Sequence, residues 1–129
     1  MKIDCPCGLG KTYDECCGKY HKQDAYPTTA EALMRSRYSA YAMKNVDYIV
    51  QTALTTDSKT AIEEWMKRVK FVKLEILRTQ RGKALDKNGV VEFKVWFEDG
   101  SKTEVLHEVS AFVKRKGRWF YDESNSFTP

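Results

Sequence analysis

Beyond residue 17 the chain has no cysteine, which excludes a disulfide framework spread through the fold. No apolar run approaches the ~18 residues of a membrane-spanning helix. An excess of one charge is also missing: 22 basic against 18 acidic side chains leave a net charge of +4, too little by itself to mark a nucleic-acid-binding protein. There is no phosphate-cradling glycine loop, no Ser/His/Asp nucleophile set and no carboxylate pair whose spacing argues for acid–base catalysis. Internal repeats and low-complexity stretches are absent too. At 129 residues and 42% hydrophobic, the chain can bury one modest core.

What is present begins with the cysteines. All four fall within residues 5–17, as CPCGLGKTYDECC. Two close pairs, Cys5/Cys7 and Cys16/Cys17, joined by a short loop can wrap one ion, and a closed set of four thiolates is the usual structural zinc arrangement. Gly8 and Gly10 in the loop can take positive φ, and the exposed N–H groups of such a turn can donate to thiolates. Four thiolates around Zn²⁺ carry a net −2 charge, which Lys2, Lys11, Lys19 and Lys22 are placed to offset. His21, four residues past Cys17, is the rival fourth ligand. Two other readings use the same thiols. A Cys16–Cys17 disulfide would be strained, although crossed pairings stay open, and Met1-Lys2-Ile3-Asp4 lacks the apolar core of an export signal. A redox dithiol lacks its Cys-x-x-Cys and its βαβ context. Reduced thiols without an export signal point to the cytoplasm.

The rest of the chain reads as α+β. After a polar linker over 20–26, Thr28 and Glu31 form a capping box, and Ala30, Leu33, Met34, Tyr38 and Tyr41 recur at helical spacing through about Lys44. Asn45 caps a second helix over 47–54. Residues 55–60 form a polar turn, and Ala61, Ile62, Trp65 and Met66 mark a third helix. From Val69 the period changes. Val69, Phe71, Leu74 and Ile76 predict a strand with a bulge, followed by a turn over 81–89. A strand over 90–98, a hairpin at Asp99-Gly100, a strand over 102–114 and a short one over 119–122 complete four antiparallel strands. The expected architecture is an N-terminal zinc knuckle followed by three helices packed on a curved four-stranded sheet, with 1–24 as knuckle and 25–129 as an α+β domain.

Arg37 falls inside the apolar arc of the first long helix, where a guanidinium needs a partner. Glu104 or Glu108 can pin it as a structural pair; alternatively it is a cation at the base of a pocket, recruiting a carboxylate or phosphate. Arg35 points elsewhere, either to solvent or over the knuckle. Tyr38, Tyr41, Trp65 and Trp119 can line such a pocket or simply fill the core. A two-residue turn at Asp99-Gly100 pairs 98 with 101 and sets Glu92 opposite His107, on the face of Lys94 and an exposed Trp96. Phe93, Val95, Phe97 and Leu106 then face the core. The Glu92–His107 pair suits acid–base chemistry or a plain cross-strand hydrogen bond, and a one-residue slip would send His107 inward; Glu108 is the other candidate pocket residue of this strand. Seven basic residues against one acid over 67–83, and a second cluster over 114–118, suit either a solvated strand edge or an anionic partner.

The segment CPCGLGKTYDECCG resembles the SEC-C motif, best known from the zinc-binding tail of the SecA translocase motor, with Leu9 where the motif usually has Ser. With His21, PTTAEALMRSRYSAYAMKNVDYI and LHEVSAFVKRKGRWFYDES, nearly the whole chain is similar to the bacterial YchJ-like family. That resemblance implies a SEC-C knuckle joined to a cone of the nuclear transport factor 2-like type, and supplies no activity. In the motor the similar tail contacts the chaperone SecB and ribosomes. The expectation is therefore a non-catalytic adaptor for a protein partner. Alternatives are a small-ligand-binding protein or enzyme using the cone, or an RNA- or ribosome-binding protein using the basic stretches. A homodimer through the Trp96 face of the sheet is also allowed, and no membrane contact is expected.

Overall fold

The first long helix starts where a threonine can accept a backbone N–H. In the computed structural model, which describes residues 3–55 and 58–129, that residue is Thr29. Its Oγ1 takes the Ala32 N–H at 3.0 Å. The capping box expected at Thr28 and Glu31 does not form, because Glu31 instead holds Arg35 at 2.9 Å. The helix, α2, spans Ala30–Ala42. Before it lie a 3₁₀ turn, Tyr13–Glu15, and a short helix α1, Cys17–His21, which takes up part of the stretch expected as linker. After it come α3 (Val46–Gln51), capped by the Asn45 side chain on the Tyr48 N–H, and α4 (Lys59–Arg68), capped by Ser58. The expected turn over 55–60 includes Thr56 and Asp57, which lie outside the described residues, as does Lys2.

Four strands follow in a meander, β1 (Val69–Arg81), β2 (Asn88–Asp99), β3 (Lys102–Arg115) and β4 (Arg118–Phe127), ordered β1-β2-β3-β4 and antiparallel throughout. Bulges interrupt β1 between Phe71 and Lys73 and between Ile76 and Arg78. The first of them lets Phe71 and Leu74, three residues apart, both pack inward, so the mixed alternation in the sequence has a physical cause. At the β1–β2 end the chain closes on the start of α2. The Ala30 N–H donates to Gly82 O at 2.9 Å, and a Cβ on Gly89 would stand 2.4 Å from the Gly82 Cα, a contact only two glycines allow.

The β2–β3 turn is centred on Gly100-Ser101, with Asp99 paired to Lys102. The register is thus two residues away from the expected one: His107 stands opposite Lys94, and Glu92 opposite Val109. A shift of two preserves the faces. Phe93 and Val95 are buried, and Phe97 and Leu106 pack against them, as the alternation predicts. Trp96 is half-buried rather than exposed, with the Lys73 ammonium 5.0 Å from its ring centre.

Helix α2 runs through the middle of the molecule. Ala30, Leu33, Met34 and Tyr38 meet the sheet at Val91, Phe93, Val95, Phe112 and Trp119. Ala40 joins Tyr48, Ile49 and Met66 of α3 and α4 in a second cluster. Ser36 and Ser39, both 0% exposed, complete the circle on the side of the cysteines. Hydrophobic spacing cannot announce these two serines: they are interior because short side chains let the knuckle and α3 approach the helix closely. Among the described residues no helix is long and apolar enough to cross a membrane.

Candidate metal centre and cone cavity

The four cysteines converge. Their sulfur atoms all lie within 4.8 Å of one another, every cysteine is buried, and none is disulfide-bonded. Cys7 Sγ and Cys16 Sγ are 3.6 Å apart. A tetrahedral ion with bonds of ~2.3 Å would set sulfurs ~3.8 Å apart, so the donor set fits one metal. Gly8 and Gly10 have φ of +85° and +84°, as the loop requires, and the Cys5 N–H ties to Lys11 O at 2.8 Å. Donation from the Cys17 thiol, helped by the Leu9 N–H, pulls Cys7 down to about 5 against burial. Burial and its contact with Cys7 push Cys16 up to about 11, and the bond to Cys7 pushes Cys17 up as well. One thiolate is thus favoured even before a cation arrives, and a cation would draw off the remaining protons.

His21 stands outside this cluster because both its ring nitrogens are engaged elsewhere. Nε2 lies 2.8 Å from Ser36 O, which can only accept, so Nε2 carries the proton, and Nδ1 accepts from the Tyr13 hydroxyl at 2.6 Å. Burial lowers the His21 pKa, in keeping with this neutral form. The ring clasps the knuckle to α2 and also packs 4.6 Å from Tyr48. Arg35 covers the knuckle: its Nε holds Glu31, and Nη1 donates to Cys7 O at 2.8 Å. Ser39 Oγ lies 3.5 Å from Cys5 Sγ. Of the lysines expected to offset the thiolates, Lys11 and Lys19 border a shallow depression of about 70 Å³ with Leu9, Cys16, Cys17 and Arg35, whereas Lys22 pairs with Asp14 at 3.3 Å on the surface.

The cone contains a cavity of about 200 Å³ between α2, α4 and the inner face of the sheet. Arg37, Tyr38, Tyr41, Trp65 and Glu108 line it, five of the seven pocket residues expected from the sequence. Two do not. His107 lies between Leu106 and Glu108, which point inward, so strand alternation sends it to the outer face, where Nε2 meets Glu92 Oε2 at 2.7 Å along the diagonal of the register. Trp119 is on the inner face but two residues along β4 from Tyr121, a step of ~7 Å. There it is core, 3% exposed, beside Leu33. Tyr121, Ser110 and Phe71, which the sequence reading passed over as pocket residues, also line it, together with core side chains such as Phe93, Leu106 and Phe112; strand alternation from Glu108 would have found Ser110.

Arg37 forms no ion pair with Glu104 or Glu108. Glu104 is exposed near the hairpin end, and Glu108 is occupied differently. Buried to 7% exposure, the guanidinium donates through Nη1 to Ile49 O at 2.9 Å and to Thr52 Oγ1 at 2.7 Å. Its carbon lies 4.7 Å from the centre of the Tyr121 ring. Burial lowers its pKa while the neighbouring tyrosines and Glu108 work against that, and an arginine stays charged there. Glu108 Oε1 accepts from Ser110 Oγ and from the Tyr121 hydroxyl, both at 2.7 Å. Tyr121 therefore stands between the two charges, its face to the cation and its hydroxyl to the anion.

Comparison with known proteins agrees with this architecture. Residues 3–19 match the SEC-C motif, and residues 29–124 match the family described as the YchJ middle NTF2-like domain. A UPF0225 protein of Haemophilus influenzae (strain PittEE) is 44% identical over 127 residues, covering 94% of this chain and 77% of that one. Among solved structures, a SEC-C motif containing protein from Rhodopseudomonas palustris superposes with a TM-score of 0.87 at 36% identity, over 98% of this chain and 99% of that one. Another, from Psychrobacter arcticus, gives 0.80 at 30% identity, over 97% and 83%.

Proposed function

This chain belongs to the YchJ-like family with a SEC-C motif, and from that premise we propose that its knuckle holds a structural zinc ion and presents a contact surface to a protein partner. The observation that carries the reading is the direction of the side chains. All four thiols turn inward and leave a complete donor set with no vacant ligand for water, which is the structural rather than the catalytic zinc pattern. The loop turns outward, with Leu9 49% exposed. Leu9 stands at the depression bordered by Lys11, Lys19, Glu15 and an Arg35 already held by Glu31, an apolar tip beside two lysines that suits a partner offering an apolar side chain with an acidic group next to it. Four thiols without a disulfide suit a reducing, cytoplasmic setting.

The RNA or ribosome reading has less behind it. Three of the seven basic residues in 67–83 are already paired, Arg68 with Asp99, Arg78 with Glu92 and Arg81 with Asp86, and they lie on or next to β1, an edge strand that benefits from charge.

Elemental analysis of the purified protein is expected to give one zinc per chain, lost in Cys7→Ser and kept in His21→Gln. A pull-down then compares the wild type with a Leu9→Glu/Lys11→Glu variant that leaves the thiols intact. Partners that disappear with zinc content unchanged support the contact surface; the same partners recovered with both proteins would remove it.

A further inference from the structure

We propose that the cone cavity is a binding site for a small, neutral, single-ring molecule with an amide-type head, whose carbonyl oxygen is taken by Arg37 and whose N–H is taken by Glu108. This is separate from the knuckle reading and stands or falls without it.

The polar groups at the cavity are only half used. A guanidinium offers five N–H donors, and the hydrogen bonds found for Arg37 among the described residues spend Nη1 alone, on Ile49 and Thr52. No carboxylate among the described residues forms an ion pair with it. On Glu108 both accepted hydrogen bonds fall on Oε1, which leaves Oε2 available. Both residues line the same space, held apart by Tyr121. Their unused atoms are not sealed away: the buried side-chain nitrogen and oxygen atoms without a partner among the described residues are Thr12 Oγ1 and Trp119 Nε1, so Arg37 and Glu108, fixed by their own partners, keep capacity that a molecule in the cavity can take up.

The walls define the rest of the ligand. Tyr41, Trp65, Phe71, Phe93 and Phe112 present rings and Leu106 an aliphatic side chain, so the body of the ligand is apolar and flat. A volume of about 200 Å³ falls below the ~300–1,000 Å³ of drug-sized sites, which restricts the occupant to a fragment with a single ring. The charges set its polarity. An anion would gain at Arg37 and be repelled at Glu108, and a cation the reverse. A neutral head with one acceptor and one donor satisfies both.

Three probes of one shape test this: benzamide, benzoate and benzylamine, titrated against the full chain while the Trp65 indole N–H is followed by NMR. Benzamide is expected to bind at least about tenfold more tightly than the two charged probes, from the hydrogen bonds each of them loses. Glu108→Gln makes the sharper test. The Gln carbonyl keeps the Ser110 and Tyr121 bonds and turns its N–H₂ toward the ligand, so the preference is expected to reverse in favour of benzoate. Leu106→Trp fills the cavity and is expected to abolish the shift for all three. The proposal is overturned if no probe gives a saturable shift near its solubility limit, if Leu106→Trp binds as the wild type does, or if Glu108→Gln leaves the order of the probes unchanged.

Discussion

In the knuckle, four sulfur atoms occupy the place that Leu33, Val91 and Phe112 fill in the cone, and the two interiors resist disturbance differently. The knuckle has little apolar surface to bury: among the described residues Tyr13 and Leu74 are the partly buried hydrophobic side chains packed against its thiols. Its order rests on donor geometry and on three polar clasps, at Arg35, His21 and Ser39. The cone spreads its stability over two clusters of apolar side chains, and so can leave a cavity beside Arg37 that a comparably small metal site could not tolerate. A concentrated interior fails all at once, whereas a distributed one can leave space unfilled.

The largest expected effect tests that contrast directly. Cys7→Ser, or treatment with a chelator, is expected to unfold residues 3–21 if the four thiols hold an ion, because a bound metal supplies the folding free energy of such a site. Hydrogen exchange would register lost protection in the knuckle while β2 and β3 stay protected; loss of protection throughout the chain would show that the two regions fold as one unit. Next in size, Arg37→Met deprives Ile49 O and Thr52 Oγ1 of their donor and is expected to lower stability by about 2 kcal/mol in chemical denaturation. At the seam, Ser39→Leu overfills a site with 0% exposure and is expected to cost ~1–3 kcal/mol.

Acid acts on the clasp as well as on the thiols, and His21→Gln separates the two. The folded-state pKa of His21 is lowered by burial, so the unfolded chain binds its proton first. Stability from the neutral ring is full above the ordinary histidine value of ~6.5 and is lost as pH falls below it. Urea titrations at pH 7.5 and 5.5 are expected to show a fall that His21→Gln reduces. The smallest effect belongs to His107→Ala on the outer face, where it frees Glu92 from one of two partners. No resolvable change in melting temperature is expected, and a clear drop would mean that this face has a role beyond its cross-strand bond.

The two regions also differ in how much of them the sequence discloses. The cysteine cluster is legible because its chemistry is local: four thiols within thirteen residues must meet if they bind one ion, and Gly8 and Gly10 have the conformations that the loop demands. Sheet order and the inward faces of β2 and β3 are legible for the same kind of reason, since alternation survives a register error of two. Thr29 rather than Thr28 as cap is beyond such reading, because adjacent threonines compete and Gly82 decides between them by taking the Ala30 N–H. The partner of Arg37 is equally hidden. Position on the helix demands that it be satisfied, but only the approach of α3 provides the Ile49 carbonyl and the Thr52 hydroxyl in place of a carboxylate.

Helix α2 has a consequence for how this protein can change. Over residues 33–40, about two turns, it alternates duties from one residue to the next: Arg35, Ser36 and Ser39 serve the cysteines, while Met34, Arg37 and Tyr38 serve the cavity. Rotating the helix by one residue to improve either side would misplace the other. The knuckle and the cone are therefore bound to a common sequence constraint, and a substitution accepted by one region must also be silent in its neighbour a turn away. In a saturation mutagenesis of α2, tolerance is expected to be lowest over those eight positions and to recover only at the exposed Met43, just past the end of the helix.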